Sequence, residues 1–133
     1  MTAVIDVCGA MEILLHKEKA GLFNKALQGA TIIIAPDLYI SELTNTLWKY
    51  HSVKTRTKDE CLLYINKGIG LIDTFISAKD IWQEAFSEGI NNNHSIYDML
   101  YLVVARRHGG TLITNDSALA AICKKSHVKV CYS

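Results

Sequence analysis

The sequence predicts one three-layer α/β domain, a parallel sheet covered by helices on both faces. Three observations predict it. Short β-branched or aliphatic runs alternate along the chain with longer amphipathic stretches. Those runs are continuously apolar instead of alternating, as in strands buried on both faces. The 133 residues, 50% hydrophobic and 20% charged, suffice for one sizeable core and roughly one domain. A single proline and eight glycines exclude a disordered, collagen-like or linker chain.

Five runs read as strands: Thr2–Val7, Thr31–Ile34, Leu71–Phe75, Thr111–Thr114 and Val128–Cys131, each bounded by Gly, Asp, Asn or Pro signals. Helical patterns fill the intervals. Met11–Leu15 and Glu18–Leu27 precede the second strand, and Asp37–Tyr50 follows it with Tyr39, Leu43, Leu47 and Tyr50 at helical spacing. After the polar link Ser52–Thr57 comes Lys58–Lys67, then Asp80–Glu88. Ser95–His108 is almost wholly apolar until Arg106 and is stopped by Gly109-Gly110; Asp116–Lys125 is the last helix. Right-handed crossovers are expected for such an order. No repeat, low-complexity segment or linker divides the chain, so residues 1–133 are expected to form one domain.

Fourteen Lys and Arg against thirteen Asp and Glu leave a formal charge of +1. That excludes a highly basic nucleic-acid coat protein, so any RNA contact must come from local patches. No leader is expected at the N-terminus, where Asp6 and Glu12 interrupt the apolar stretch and no Lys or Arg precedes it. The longest apolar run, Met99 to Ala105, is far below the roughly twenty residues a membrane span needs. A cytoplasmic protein with no membrane contact is expected. Cys8, Cys61, Cys123 and Cys131 form no C-x-x-C pair and read as small buried hydrophobes.

Most of the acids, Asp59, Glu60, Asp80, Glu84 and Glu88 among them, read as solvated helix surface. Four do not. Asp6 ends the first strand, and Asp116 lies just beyond the fourth. In a parallel sheet those ends share the edge where α/β proteins place their sites. Asp98 opens the helix leading into the fourth strand, and Glu42 lies near the start of the helix after the second, so both belong to the same edge. Each has an ordinary alternative. Asp6 or its neighbour could cap a helix, Asn115 or Asp116 could N-cap the last one, Ser95-Ile-Tyr-Asp98 fits a capping box, and Glu42 could be a surface residue. Yet Asp98 and Glu42 have no cation at i+3 or i+4 along their helices. Unpaired carboxylates at an apolar rim are costly, and several together repel. A divalent ion removes both penalties, and an all-oxygen set suits Mg²⁺ or Mn²⁺ better than Zn²⁺. Such a site can activate water against a phosphodiester.

In order, Ile5-Asp6, Pro36-Asp-Leu-Tyr-Ile-Ser-Glu42-Leu, Ser95-Ile-Tyr-Asp98-Met-Leu-Tyr-Leu-Val-Val-Ala105 and Leu112-Ile-Thr-Asn-Asp116 resemble the four acidic motifs of PIN-domain ribonucleases, over essentially the whole chain. Size and order resemble the VapC-type toxins of bacterial and archaeal toxin–antitoxin pairs. The resemblance implies a five-stranded parallel sheet flanked by helices. It also implies Mg²⁺ or Mn²⁺ held by Asp6, Glu42, Asp98 and Asp116, endonucleolytic RNA cleavage by a metal-activated water, a supporting role for Thr114, a homodimer and a cognate antitoxin.

Other features weigh less. Arg106-Arg107-His108 and Lys124-Lys125 end helices, where cations complement the macrodipole, and lie at the sheet edge opposite the acids. Lys54, Arg56 and Lys58 in the link between two helices are the better candidates for phosphate contact. The five histidines form no zinc spacing, although His94, four residues before Asp98, could approach the site. Trp48, Tyr50 and Trp82 read as core or dimer contacts more than as base-stacking platforms. Two rival functions are a non-catalytic PIN-like scaffold or RNA-binding domain and a phosphoryl-accepting signalling module. The second lacks adjacent acids after the first strand, and Asp73 is expected inside its strand instead of at its end.

Overall fold

A computed structural model describes residues Met1–Ser133. Five parallel strands form one sheet: β1 (Thr2–Ile5), β2 (Ile32–Pro36), β3 (Thr74–Ile76), β4 (Thr111–Ile113) and β5 (Lys129–Cys131), in the order β3-β2-β1-β4-β5. Central β1 pairs with β2 through Ala3↔Ile33 and with β4 through Val4↔Leu112. Ala3, Val4 and Ile5 are fully buried, as their unbroken apolarity predicts.

Seven helices flank the sheet: α1 (Val7–Leu14), α2 (Ala20–Gln28), α3 (Leu38–Ser52), α4 (Lys58–Gly70), α5 (Trp82–Asn92), α6 (Ile96–Arg107) and α7 (Ser117–Lys125). Helix α6 buries every residue from Met99 to Ala105 and packs on β1, β2 and β4. A helix apolar on all sides belongs inside a domain, and each large side chain it buries contributes roughly 1.5–3 kcal/mol. None of the helices is long and apolar enough to cross a membrane.

Several boundaries differ from expectation. The first strand stops at Ile5, because the Asp6 side chain accepts from Gly9 N and starts α1 there, four residues before Met11. The third begins at Thr74: α4 runs on through Gly70, so Leu71 and Ile72 close a helix and Asp73 precedes the strand. There its carboxylate accepts from Ile33 N at 2.8 Å and its own N–H donates to Ile33 O, extending the β2–β3 edge. Trp48 (61% exposed) and Trp82 (54%) are surface residues, not core. Cys61 and Cys123 are buried, but Cys8 is exposed and Cys131 half-buried; all four are free thiols.

The surface acids are also less free than expected. Glu60 closes a capping box with Thr57 at the start of α4. Glu84 and Glu88 on α5 take Arg106 at 2.8 and 3.1 Å, and Glu84 also takes Arg107 at 3.2 Å, tying α5 to the end of α6.

Candidate active site

The strand order fixes where a site can form. The chain moves from β1 to β2 on one side and returns to β4 on the other, so the loops after β1 and β4 diverge at the carboxyl edge and leave a crevice. Asp6 follows β1 and Asp116 follows β4. Glu42 stands in α3, which begins at that same edge after β2. Asp98 occupies the first turn of α6, whose start faces it. All four line one open pocket of ≈ 380 Å³.

Asp6 is 6% exposed. Its Oδ1 accepts from Gly9 N at 2.8 Å and from the Cys8 thiol at 3.2 Å, and its Oδ2 accepts from the fully buried Thr114 hydroxyl. Thr114 Oγ1 in turn accepts from Asp116 N at 3.0 Å, while Asp116 Oδ1 N-caps α7 through Leu119 N at 3.0 Å. One hydroxyl therefore links the first acid to the fourth. Gly9 permits this closeness: a Cβ there would stand 2.9 Å from Ile113 O and 3.1 Å from Asp6 Oδ1. Burial pushes the Asp6 carboxyl up to about 6, against its hydrogen bonds to Thr114, Gly9 and Cys8, and the Asp98 charge adds to the rise. Although the Cys8 residue is exposed, its sulfur is turned inward against Asp6 and Thr114, and desolvation there, with the Asp6 charge, pushes the thiol up to about 12.

Glu42 Oε1 accepts from the Tyr101 hydroxyl at 2.7 Å. Its carboxyl is raised by burial, opposed by Tyr101, with a further push from Asp98. Asp98 is not isolated as the helix pattern suggests: His94 Nε2 lies 2.7 Å from its Oδ2. His94 sits before the helix, at i−4, so a search of i+3 and i+4 misses it. The Ser95–Asp98 capping box does not form; Ser95 Oγ accepts from Tyr97 N, and Asp98 turns to His94.

The pocket also contains residues that the motifs do not mark. Glu12 is 7% exposed on α1 and lines the pocket, its Oε1 accepting from Lys19 N at 3.3 Å. It is the lone acid in an otherwise apolar helix, which is the signal that could have found it. Lys17 is the single cation of the lining, bonded to Tyr50 Oη at 3.3 Å. By contrast, Lys54 and Arg56 line a separate polar pocket that shares no residue with the acidic one, with Lys58 next to it in sequence at the start of α4. Arg56 there pairs with Glu60 at 3.5 Å and lies over the Tyr64 ring. Arg106 and Arg107 are engaged with α5 carboxylates.

The donor set is of the right kind for a hard divalent ion. It consists of carboxylates, and Asp98 raises the affinity of both Asp6 and Glu42 for protons, so the three feel one another's field. They share the pocket without closing on one point. No three His, Cys, Asp or Glu side chains are drawn together tightly enough to form a metal centre, each carboxylate being turned to a donor of the protein.

Comparison with known proteins decides the family: the PIN domain family matches residues 3–125. The chain belongs to the PIN-domain family. A PIN-domain relative, Ribonuclease VapC3 of Pyrobaculum aerophilum, is 25% identical over 125 residues, 90% of this chain and 93% of that protein. Among solved structures, PAE2754 of Pyrobaculum aerophilum superposes with a TM-score of 0.73 at 20% identity, over 91% of this chain and 86% of its own. VapBC2 of Rickettsia felis, bound to a DNA fragment from its promoter, gives 0.69 at 13% identity over 99% and 98% of the two chains. VapBC-5 of Mycobacterium tuberculosis, a member of the VapBC family of toxin–antitoxin systems, gives 0.62 at 13% identity with the same coverage. These likenesses establish the PIN fold.

Proposed function

We propose that this PIN domain is a metal-dependent endoribonuclease, the toxin of a VapBC-type pair. The observation that carries the reading is that Asp6, Glu42, Asp98 and Asp116, from four separate segments, line one pocket at the crevice of the sheet. The names of the VapC and VapBC relatives support the ribonuclease and its antitoxin partner. The homodimer and the cytoplasmic setting belong to the same proposal.

In this reading Asp6, Glu42, Asp98 and Asp116 hold Mg²⁺ or Mn²⁺. Bound there, the ion supplies an acidified water and positive charge for the phosphodiester. The chain's own residues do the rest. Thr114 and Gly9 aim the Asp6 carboxylate by donating to both of its oxygens. Tyr101 fixes Glu42, and His94 holds Asp98 through one oxygen. The carboxylates are thereby oriented before RNA arrives, which is what a site must supply for in-line attack. Lys54, Arg56 and Lys58 are proposed to contact the RNA backbone away from the cut.

Incubating the purified protein with RNA in Mg²⁺ or Mn²⁺, then with EDTA in excess, tests the reading. Cleavage should need the ion and should fall at least a hundredfold in Asp6→Asn and in Asp98→Asn. Equal cleavage in EDTA would refute it. The absence of a preformed cluster of three ligands favours one second reading, a non-catalytic RNA-binding domain. RNA binding without Mn²⁺ affinity would select that alternative.

A further inference from the structure

The acidic pocket poses an electrostatic problem that a metal ion does not fully solve. Asp6, Glu12, Glu42, Asp98 and Asp116 all line it, and a single strand of RNA carries a negative charge at every nucleotide. An ion at the carboxylates compensates the phosphate being cut. The neighbouring phosphates still approach a negative rim, so a cation is needed there.

The lining supplies one. Lys17 sits between α1 and α2 and is held there by its backbone. Lys17 N donates to Glu12 O at 2.8 Å and His16 N to Ile13 O at 3.2 Å, the paired bonds of a Schellman turn. The turn requires His16 at φ 51°, a conformation that a non-glycine residue adopts at some cost. The result is a solvent-exposed lysine whose side chain forms part of the pocket lining. Its ammonium donates to Tyr50 Oη at 3.3 Å. Although five acids share the pocket, none lies within 4.0 Å of Lys17 Nζ. Two of its three N–H donors thus remain without a protein partner.

We infer that Lys17, steadied by Tyr50, is a positioning residue that grips a non-scissile phosphate of the RNA strand. This rests on the ribonuclease reading and adds to it the residue that lets a polyanion enter an acidic pocket. A charge neighbour that only moderates the carboxylates would look similar at first, but it would act on ion affinity and not on RNA.

Steady-state cleavage of an RNA that the wild-type protein cuts, measured across a KCl series in saturating Mn²⁺, tests it. Lys17→Ala should raise KM about five- to tenfold, leave kcat within about twofold, and flatten the log–log salt dependence of kcat/KM by about 0.7, the increment of one single-strand phosphate contact. Lys17→Arg should restore both KM and slope, and Tyr50→Phe should fall between. Unchanged KM and slope in Lys17→Ala, or a change confined to Mn²⁺ affinity, overturns the inference while the ribonuclease stands. No cleavage by the wild-type protein in either ion overturns the ribonuclease reading and this inference with it.

Discussion

Thr114 and Asp6 stand 108 positions apart in the chain and meet in a buried hydrogen bond, Thr114 Oγ1 donating to Asp6 Oδ2. The bond spans the crevice between the ends of β1 and β4. Through Asp116 N, which donates to the same hydroxyl, it sets the first and fourth acids relative to each other.

Replacing that hydroxyl should therefore cost stability, most where Asp6 is charged. Thr114→Val removes a donor from a buried carboxylate and an acceptor from Asp116 N, at about 1–3 kcal/mol. Without the donor, the Asp6 pKa moves further above about 6. The loss should be greater at pH 7.5 than at pH 5, and Thr114→Ser should recover most of it. Urea unfolding at the two pH values checks this.

Asp6 itself should weigh on the fold at neutral pH. Its carboxyl is raised from 3.8 to about 6, so the folded state holds the proton more tightly than the unfolded one. The resulting cost is absent below about pH 4, grows between there and about 6, and is complete above. Asp6→Asn should stabilise the metal-free protein by at most about 3 kcal/mol at pH 7.5 and by little at pH 4. It should do so while abolishing cleavage. Paired denaturant titrations at the two pH values give the difference.

How much of this was legible beforehand depends on distance along the chain. The five strands, the buried helix and the four acids are written locally, in apolar runs and in carboxylates at their carboxyl ends. The sequence starts the third strand too early, at Leu71, because Leu71 and Ile72 extend its apolar run, and a short apolar run cannot be told from a buried helix end by periodicity. The sequence allows Asp6 as a cap yet starts the first helix at Met11, because Val7 prolongs the apolar run of the first strand past the true helix start. The strand order, the Tyr101–Glu42 bond and the Lys17–Tyr50 bond join residues far apart, and no local pattern encodes them. His94 was visible as a neighbour of Asp98 but not as its partner.

Tyr101 should act through Glu42. Tyr101→Phe leaves the half-buried Glu42 carboxylate without its 2.7 Å donor, so the Glu42 pKa rises further above the ordinary carboxylate range. Mn²⁺ affinity should fall several-fold near pH 6 and recover as the pH is raised. Titration calorimetry at pH 6 and 8 reads the difference.

Arg106 should matter for stability alone. Arg106→Ala breaks the links to Glu84 and Glu88, which join α5 to α6 at the edge opposite the acids. The groups are about one-third exposed or less, so the loss should be about 1 kcal/mol and shrink in high salt. RNA cleavage should be unchanged. Thermal melts at low and high salt, beside a cleavage assay, test both halves.

The most direct test of the central claim, that the four carboxylates act together in holding divalent metal, is a Mn²⁺ titration by calorimetry. It should compare the wild-type protein with Asp6→Asn, Glu42→Gln, Asp98→Asn and Asp116→Asn at pH 7.5. The account predicts saturable binding by the wild-type protein and at least tenfold weaker binding in each variant. Indistinguishable isotherms across the five proteins, or no binding by the wild type, would contradict it.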